Sequence, residues 1–220
     1  KKTEHKIRKD TLVGIGDDCA VIQRPNTNLL ITTDALIEDV HFKIEKENGR
    51  NRDFNRRRGP FFLLGQKALL ASISDIAAMG GIPTHALVTI GLPNRIRVEQ
   101  VKELYRGINV LARKHQIDII GGDTVSSPRG LMISVTLLGE IEKDKLLLRS
   151  GARAGDIICV TGTFGGPAAE KFRIPNSESR IRLKESGIIA KSGVASSMID
   201  SSDGLVRSVM EICKASKVGA

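Results

Sequence analysis

The chain has 220 residues, 40% of them hydrophobic and 27% charged, a balance typical of a soluble globular protein with a sizeable core. Its formal net charge of +9 favours anionic partners such as phosphorylated small molecules, whereas one Tyr, six Phe and no Trp argue against a base-stacking, nucleic-acid-binding surface. There is no run of about 18 apolar residues and no apolar segment behind a basic leader, so we expect a cytoplasmic protein that neither binds nucleic acid nor spans a membrane.

Apolar runs rich in Ile, Val and Thr predict six strands, at residues 18–22, 29–33, 85–92, 117–120, 131–141 and 156–161. Apolar residues with a 3.6-residue period predict helices at 61–79 and 98–115, and a third helix beginning near Asp203, whose side chain can cap it. Strands and helices do not alternate strictly, which favours an α+β fold over a doubly wound sheet. We expect an N-terminal domain over 1–143 and a second domain over 144–220.

One segment, 45–59, carries five Arg residues and shows no periodicity, so it predicts a long loop. One interpretation is a solvated basic loop. The other is an electrostatic attractant for phosphates, which the planar guanidinium group binds well.

Seven aspartates lie at the ends of apolar runs, among Gly, Ser and Thr and with almost no neighbouring Lys or Arg: Asp17, Asp18, Asp34, Asp75, Asp123, Asp200 and Asp203. Carboxylates on a solvated surface are usually interspersed with cations. If several of these converge in the fold, they need metal ions to neutralise them.

The first two clusters differ in how specific they are. Asp17 and Asp18 sit where a glycine-rich turn enters a strand, so one of them can simply cap its own backbone, while the second needs a reason to be there. Thr32, Thr33 and Asp34 close an apolar run and bring two hydroxyls and a carboxylate together. Such oxygen donors suit Mg²⁺.

Asp75 falls on the apolar face of the first predicted helix, together with Ala68 and Ser72, so its carboxylate points inward. An inward carboxylate requires a partner. A metal ion is one candidate, and a buried salt bridge with Lys67 or His85 is the other.

The last two clusters are weaker when taken singly. Gly121-Gly122-Asp123-Thr124 follows a predicted strand, where backbone amides can approach phosphate oxygens. In the segment 200–204, Ser202 or Asp203 can be explained as a helix cap, but Asp200, one turn earlier, cannot.

Five segments with the same oxygen chemistry favour one shared cation site over five separate structural accidents. Mg²⁺ is commonly held by a few carboxylates together with substrate phosphates, so phosphoryl transfer is the leading chemistry. The P-loop, dinucleotide-binding and protein-kinase motifs are absent, and the four histidines suggest no nucleophilic triad. His41 is of interest because it closely follows the Thr-Thr-Asp cluster.

The order of the motifs along the chain is also informative: Gly-Ile-Gly-Asp-Asp-Cys-Ala-Val-Ile (14–22), Thr-Thr-Asp-Ala-Leu-Ile-Glu-Asp-Val-His-Phe (32–42), Ser-Asp-Ile-Ala-Ala-Met-Gly (74–80), Gly-Gly-Asp-Thr (121–124), Arg-Ser-Gly-Ala-Arg-Ala-Gly-Asp (149–156), Val-Thr-Gly-Thr (160–163) and Met-Ile-Asp-Ser-Ser-Asp-Gly-Leu (198–205). Together these segments closely resemble the thiamine-monophosphate kinase family, within the aminoimidazole-ribonucleotide synthetase superfamily. The resemblance implies two α+β domains, a homodimer whose paired sheets close a barrel, and ATP bound with several Mg²⁺ ions.

Carried over position by position, the resemblance implies catalytic roles for Asp34, Asp75 and Asp123, and a contact from His41 to the thiamine phosphate. It implies ATP contacts from Gly122, Asp123, Arg149 and Ser202. The implied magnesium ligands are Asp18, Thr32, Thr33, Asp34, Asp75, Asp123, Asp200 and Asp203. The second domain looks incomplete, and the aromatic contacts to the thiamine rings are expected in the missing part.

The expected reaction is direct in-line transfer of the γ-phosphoryl group of ATP to thiamine monophosphate. Two alternatives stay open at this point. One is another ATP-using enzyme of the same superfamily, of the cyclo-ligase, amidotransferase or hydrogenase-maturation type. The other is a non-catalytic basic protein that binds nucleotides or nucleic acid, which would explain the charge but not the aspartates.

Overall fold

A computed structural model describes residues 8–44, 59–162, 164 and 181–220. All but the last residue of the predicted basic loop, 45–59, lies outside these ranges. In chain order the described elements are β1 (Thr11–Val13), β2 (Ala20–Gln23), β3 (Thr27–Ile37), α1 (Pro60–Ala78), β4 (Ile82–Leu92), α2 (Val98–Lys114), β5 (Asp118–Ser126), β6 (Met132–Glu142), a short 3₁₀ helix (Lys143–Lys145), α3 (Leu183–Ser192) and α4 (Leu205–Ser216).

The six strands form one mixed sheet in the order β1-β2-β3-β6-β4-β5. Every neighbouring pair is antiparallel except β4 and β5, which run parallel because α2 connects them as a crossover. The predicted α+β class is therefore confirmed. Within this chain the sheet is open, so the barrel expected across a homodimer stays a prediction.

The core lies between one face of this sheet, the inner face, and the helices α1 and α2. Alternate residues of β4 (Ala86, Val88 and Ile90) are buried, as are their counterparts on β3 and β6. Each fully buried Leu or Ile side chain contributes roughly 1.5–3 kcal/mol. Among the described residues, α1 is long and apolar enough to cross a membrane, but 72% of its most apolar window is buried, as in the core helix of a globular fold.

Helices α1 and α2 pack with their backbones in direct contact. A Cβ atom added to Gly65 would lie 2.1 Å from the carbonyl oxygen of Leu104, and one added to Gly107 would lie 1.9 Å from that of Phe62. Only glycine fits at such a crossing. This close packing fixes α1, which carries Asp75, against the rest of the core.

The opposite, outer face of the sheet is not covered by any helix in the described part of the chain. Thr33 of β3 lies there, with its hydroxyl 3.1 Å from that of Thr136 and 3.5 Å from that of Ser134, both on β6. Apolar side chains are also exposed on this face, with Ile37 at 44% and Leu87 at 37%.

Three predictions about individual elements were wrong. The strand predicted at 156–161 is irregular, with Ile157 87% exposed, because no described strand lies beside it to complete its hydrogen bonds. Helix α4 begins at Leu205 after Gly204 without a side-chain cap, so Asp203 does not cap it. Strand β5 continues to Ser126, which places Gly121-Gly122-Asp123-Thr124 inside the strand rather than after it.

Candidate metal and phosphate site

Three of the predicted aspartates meet at one point of the inner face. Asp18 precedes β2, Asp75 lies near the end of α1, and Asp200 lies in the segment before α4; one carboxylate oxygen from each lies within 4.8 Å of the others. The three residues are separated by 57 and 125 positions in sequence, so only the fold brings them together.

Hydroxyl groups hold these carboxylates in place. Thr32 donates a hydrogen bond of 2.5 Å to Asp75, and Ser74 donates one of 2.9 Å to Asp200. Thr32 and Asp34 lie two positions apart on β3, so their side chains are on the same face, towards α1. There Asp34 accepts a hydrogen bond of 3.3 Å from Ser72. Asp34 therefore extends the cluster along β3.

Among the described residues, Arg149 brings a positive charge into the cluster, and its partner could not be predicted from the sequence. The guanidinium of Arg149 is hydrogen-bonded and ion-paired to Oδ1 of Asp18, whose side chain is completely buried. The backbone amide of Arg149 also donates to the carboxylate of Asp17, at 3.2 Å to Oδ2. Arg149 was predicted to contact ATP. In this structure it neutralises one carboxylate of a group of four: Asp18, Asp34, Asp75 and Asp200.

The remaining negative charge is reflected in the pKa values. Burial raises the pKa of Asp18 to about 6, despite the opposing effect of Arg149. Burial, with the neighbouring Asp34, Asp200 and Asp18 charges, raises the pKa of Asp75 to about 8 even though Thr32 donates to it. Burial likewise raises the pKa of Asp34 and of Asp200. The negative charge of Asp34 is one cause of the raised pKa of Asp75, so ionisation of both carboxyl groups together is unfavourable.

The donor set fits a hard divalent cation. All donors are oxygens, and within the described part of the chain the buried Oδ2 of Asp18 has no hydrogen-bond partner. Octahedral Mg²⁺ binds oxygens at about 2.1 Å, so adjacent ligands are about 3.0 Å apart and opposite ligands about 4.2 Å, and carboxylate oxygens within 4.8 Å would move inward to bind one ion. Asp18, Asp75 and Asp200 are the residues that could hold such an ion.

Asp75 does not form the buried salt bridge that was considered for it. Lys67 donates a 2.6 Å hydrogen bond to the backbone carbonyl of His41. His85 lies on an exposed position of β4, away from the buried alternate residues. The hydroxyl of Thr32, the carboxyl of Asp34 and the carboxylates nearby surround Asp75 instead.

His41 lies beside this cluster, in a tight turn after β3. Its Nδ1 accepts a hydrogen bond of 3.0 Å from the backbone amide of Ile37, so the proton of the neutral ring is on Nε2. The ring is close enough to Asp34 for its positive form to favour ionisation of that carboxyl. An exposed Nε2–H donor next to a metal site is suited to binding a phosphate oxygen.

Other predicted residues are not brought into the cluster by this single chain. Asp123 is exposed on the edge strand β5 and pairs with Thr89, three strands from β3, which corresponds to roughly 14 Å at about 4.8 Å per strand. Thr33 lies on the outer face. Ser202 and Asp203 are exposed near Asp200, and the charge of Asp203 contributes to the raised pKa of that residue.

A second feature, which we did not predict from the sequence, is a groove of about 550 Å³ along α2. Its walls include Leu92, Val101 and Tyr105, and its rim carries the cations Lys102 and Arg113. Leu92 is the last residue of β4 and pairs with Ser126, at the end of the strand that carries Gly122 and Asp123. Tyr105 is the chain's only tyrosine, but the sequence alone placed it simply on the apolar side of a helix.

Comparison with known proteins agrees with this fold. Residues 16–141 match the family described as AIR synthase related protein, N-terminal domain. The class is therefore that of the AIR-synthase-related domains. The matched segment contains β2 to β5, all but the last residue of β6, α1 and α2, together with Asp18, Asp34 and Asp75.

Relatives with a curated name narrow this class. The thiamine-monophosphate kinase of Buchnera aphidicola subsp. Schizaphis graminum is 35% identical over 235 positions, covering all of this chain and 68% of the relative. That of Bacillus subtilis (strain 168) is 42% identical over 158 residues, covering 71% of this chain and 45% of the relative. The chain belongs to the thiamine-monophosphate kinase family and spans about half to two thirds of the length of these relatives.

A solved structure with the same fold is AaThiL complexed with AMPPCP and TMP. It superposes with a TM-score of 0.76 at 30% identity, covering 92% of this chain and 65% of that chain.

Proposed function

We propose that this chain forms the phosphoryl-transfer site of an ATP-dependent kinase that converts thiamine monophosphate to thiamine diphosphate. The observation that carries the proposal is the convergence of Asp18, Asp75 and Asp200, with an unpartnered buried oxygen on Asp18. A structural cluster would be expected to satisfy that oxygen internally. In a site for a cation that binds together with a polyphosphate, this oxygen would be available to coordinate the cation.

The chemistry needs little from the protein beyond positioning and charge neutralisation. A phosphate monoester with a second pKa of about 6 is already largely dianionic at pH 7, so the attacking oxygen requires no general base. This agrees with a site whose described side chains are mainly carboxylates and hydroxyls. The adjacent thiol of Cys19 is buried, and burial raises its pKa, which keeps it protonated and not nucleophilic. Mg²⁺, when held by Asp18, Asp75 and Asp200, would supply neutralisation of the phosphate charges.

The chain's own residues divide the remaining tasks. Asp34, fixed by Ser72, would complete the cation site from β3, and the Nε2–H of His41 would orient the phosphate of the acceptor. Arg149 has a forked guanidinium at the edge of the cluster, so it would turn from Asp18 towards a nucleotide phosphate once cations occupy the site. Gly122 lies on β5 and has no side chain, so it would contact the nucleotide only through its backbone groups.

ATP is supported as the donor by the relative AaThiL, which was solved with AMPPCP, a non-hydrolysable ATP analogue, and with TMP. The groove along α2 offers this chain a place for the base, because it combines apolar walls and Tyr105 with Lys102 and Arg113.

A homodimer would explain two features of the isolated chain. The outer face of the sheet is uncovered and exposes Leu87 and Ile37, and Asp123 lies about 14 Å from the cluster, by count of strands. If two outer faces pair, Thr33 and Asp123 become interfacial, and the edge strand of one protomer can approach the cluster of its partner. The predicted roles of Thr33 and Asp123 depend on this assembly.

The proposal is tested by measuring ADP formation from ATP with Mg²⁺ and thiamine monophosphate. Asp34→Asn should lower kcat by about a hundredfold to a thousandfold, because it removes a charge from the cation site while keeping the side-chain shape. Asp144→Asn, which changes an exposed aspartate in the 3₁₀ helix, is the matched control and should leave kcat unchanged.

Near-normal ADP formation by Asp34→Asn would contradict the assignment. Turnover with a different oxygen acceptor, and none with thiamine monophosphate, would favour another enzyme of the superfamily. A non-catalytic nucleotide binder would show no turnover and a steep dependence of binding on salt without any need for Mg²⁺.

A further inference from the structure

An ion pair between a buried carboxylate and a half-exposed guanidinium joins three loops at the end of the sheet that presents His41. Glu38 directly follows β3, and only 6% of its side chain is exposed. Its Oε1 is paired with the guanidinium of Arg95, and its Oε2 accepts a hydrogen bond of 2.8 Å from the backbone amide of Leu131. Arg95 also donates a hydrogen bond of 2.9 Å to the carbonyl of Arg129. Neither residue touches the aspartate cluster through any contact in the described structure.

Glu38 is also the first residue of the turn that carries His41. The amide of Asp39 donates to the carbonyl of Phe42 at 2.8 Å, and Asp39 adopts a left-handed conformation with φ of 66°. The amide of His41 donates to the carbonyl of Ile37 at 2.8 Å, while the ring of His41 accepts from the amide of Ile37. The orientation of the imidazole therefore depends on how the backbone of residues 37–42 is held.

Three anchors hold that turn. Lys67 of α1 donates to the carbonyl of His41. The Glu38–Arg95 pair ties the start of the turn to the β4–α2 and β5–β6 connections, and Phe42, which is 1% exposed, closes its end in the core. The Glu38–Arg95 pair is the only one of these anchors that uses two charged side chains, so its loss removes a directional constraint rather than simple packing.

We propose that Glu38 and Arg95 are positioning residues that fix the tautomer and direction of His41 towards the acceptor phosphate. The proposal rests on the proposed function for the role of His41, but its structural part, the fixed Nε2–H tautomer, is independent of turnover. Neither residue reaches the reacting atoms. Their effect should therefore appear in acceptor binding and not in the chemical step.

The structural part is tested by nitrogen NMR of the imidazole groups at about pH 8.5, with His41→Asn used to assign the resonances. In the unchanged protein, His41 should show a pyridine-type Nδ1 and a pyrrole-type Nε2. Glu38→Gln should give a mixture of both tautomers, because the amide can still accept from Leu131 but no longer attracts Arg95. An unaltered tautomer in Glu38→Gln, or the other tautomer in the unchanged protein, would overturn the proposal.

The functional part is tested by steady-state kinetics with the same variant. The KM for thiamine monophosphate should rise about tenfold, while kcat and the KM for ATP stay within about twofold. Glu185→Gln, which breaks an exposed ion pair with Arg182 on α3, is the matched control and should change none of these values. A parallel fall in kcat, or an equal rise in both KM values, would show general damage to the fold and would overturn the positioning role.

A second variant protects the test against a failure to fold. Arg95→Lys keeps a positive charge beside Glu38 but cannot bond to Glu38 and to the carbonyl of Arg129 at the same time. It should give an intermediate tautomer ratio and a smaller rise in the acceptor KM. If the unchanged protein does not turn over thiamine monophosphate, the proposed function fails while the NMR result still decides whether Glu38 and Arg95 orient His41.

Discussion

At Asp75 the fold holds a carboxyl group where ionisation is unfavourable. Burial and the charges of Asp34 and Asp200 raise its pKa to about 8, so the folded state keeps a proton that the unfolded chain releases near pH 4. Because the folded state then binds more protons than the unfolded state, stability falls as the pH rises from about 4 to about 8. This loss of stability arises at the place where a cation is expected to bind.

We therefore predict that Asp75→Asn stabilises the metal-free protein at pH 8. The amide keeps the acceptor for Thr32 but carries no charge, so the expected gain is on the order of 2 kcal/mol, or several degrees in Tm. Thermal unfolding in EDTA, followed by circular dichroism at pH 5 and pH 8, measures it. The difference between variant and unchanged protein should be small at pH 5.

The same residue provides the check on cation binding. Mg²⁺ should raise the Tm of the unchanged protein more at pH 8 than at pH 5, and should raise that of Asp75→Asn much less. A variant that is destabilised at pH 8, or that responds to Mg²⁺ as the unchanged protein does, would contradict this account of the site.

At the scale of single elements, the edge strand β5 depends on one glycine. Gly122 has φ of +147°, and a Cβ atom there would lie 1.8 Å from the carbonyl oxygen of Val88 on β4. Its neighbour Gly121 is different, since a Cβ atom there would meet only the side chain of Leu87, at 3.4 Å. Two adjacent glycines thus have unequal importance for the attachment of β5.

We predict that Gly122→Ala destabilises the fold by about 3 kcal/mol, because the strand must move away from β4 or adopt a strained backbone. Gly121→Ala is the control and should cost less than about 1 kcal/mol. Urea unfolding of both variants gives the two values, and hydrogen exchange of the β5 amides locates the effect. Equal costs for the two substitutions would show that the close contact with Val88 does not hold β5.

At the scale of the whole molecule, the uncovered outer face of the sheet is the feature that calls for a partner surface. Leu87 lies on this face between the more polar positions of β4, and it is 37% exposed in the single chain. A pairing of two such faces would bury it. Helices α1 and α2 pack against the other, inner face of the sheet.

We predict that the protein sediments as a dimer at micromolar concentration and that Leu87→Glu converts it to a monomer, since two buried, unpaired carboxylates would face each other across the interface. Ile188→Glu is the control, because Ile188 is 60% exposed on α3, away from the sheet, and should leave the dimer intact. Analytical ultracentrifugation distinguishes these outcomes. An unchanged protein that is monomeric at this concentration would remove the proposed dimer.

The parts of the fold that could be predicted from the sequence are those in which local pattern and tertiary structure agree. The periods of 3.6 and 2 located α1, α2, β4 and β6 to within a few residues, since each of these buries one face in the core. The strand expected at 156–161 was wrong because β structure needs a neighbouring strand, and residue pattern cannot show whether one is present.

The site was predictable as chemistry but not as geometry. The oxygen-rich motifs around Asp18, Asp34, Asp75 and Asp200 were identified because carboxylates without neighbouring cations are unusual at the ends of apolar runs. The ion pair between Arg149 and Asp18 was not, because its partners lie 131 positions apart. Nor could the spacing show that Thr33 and Asp123 lie away from the cluster within one chain.

The sequence by itself determined the type of donor atoms, the α+β class and the family resemblance, because these depend on residue identity and on periods that each segment carries locally. Only the tertiary structure decided which donors meet. Three carboxylates lie within 4.8 Å of one another because the fold packs α1 beside the turn before β2 and the segment before α4, and this meeting raises the pKa of Asp75. The turn that carries His41 is likewise held by contacts from residues far away in the chain.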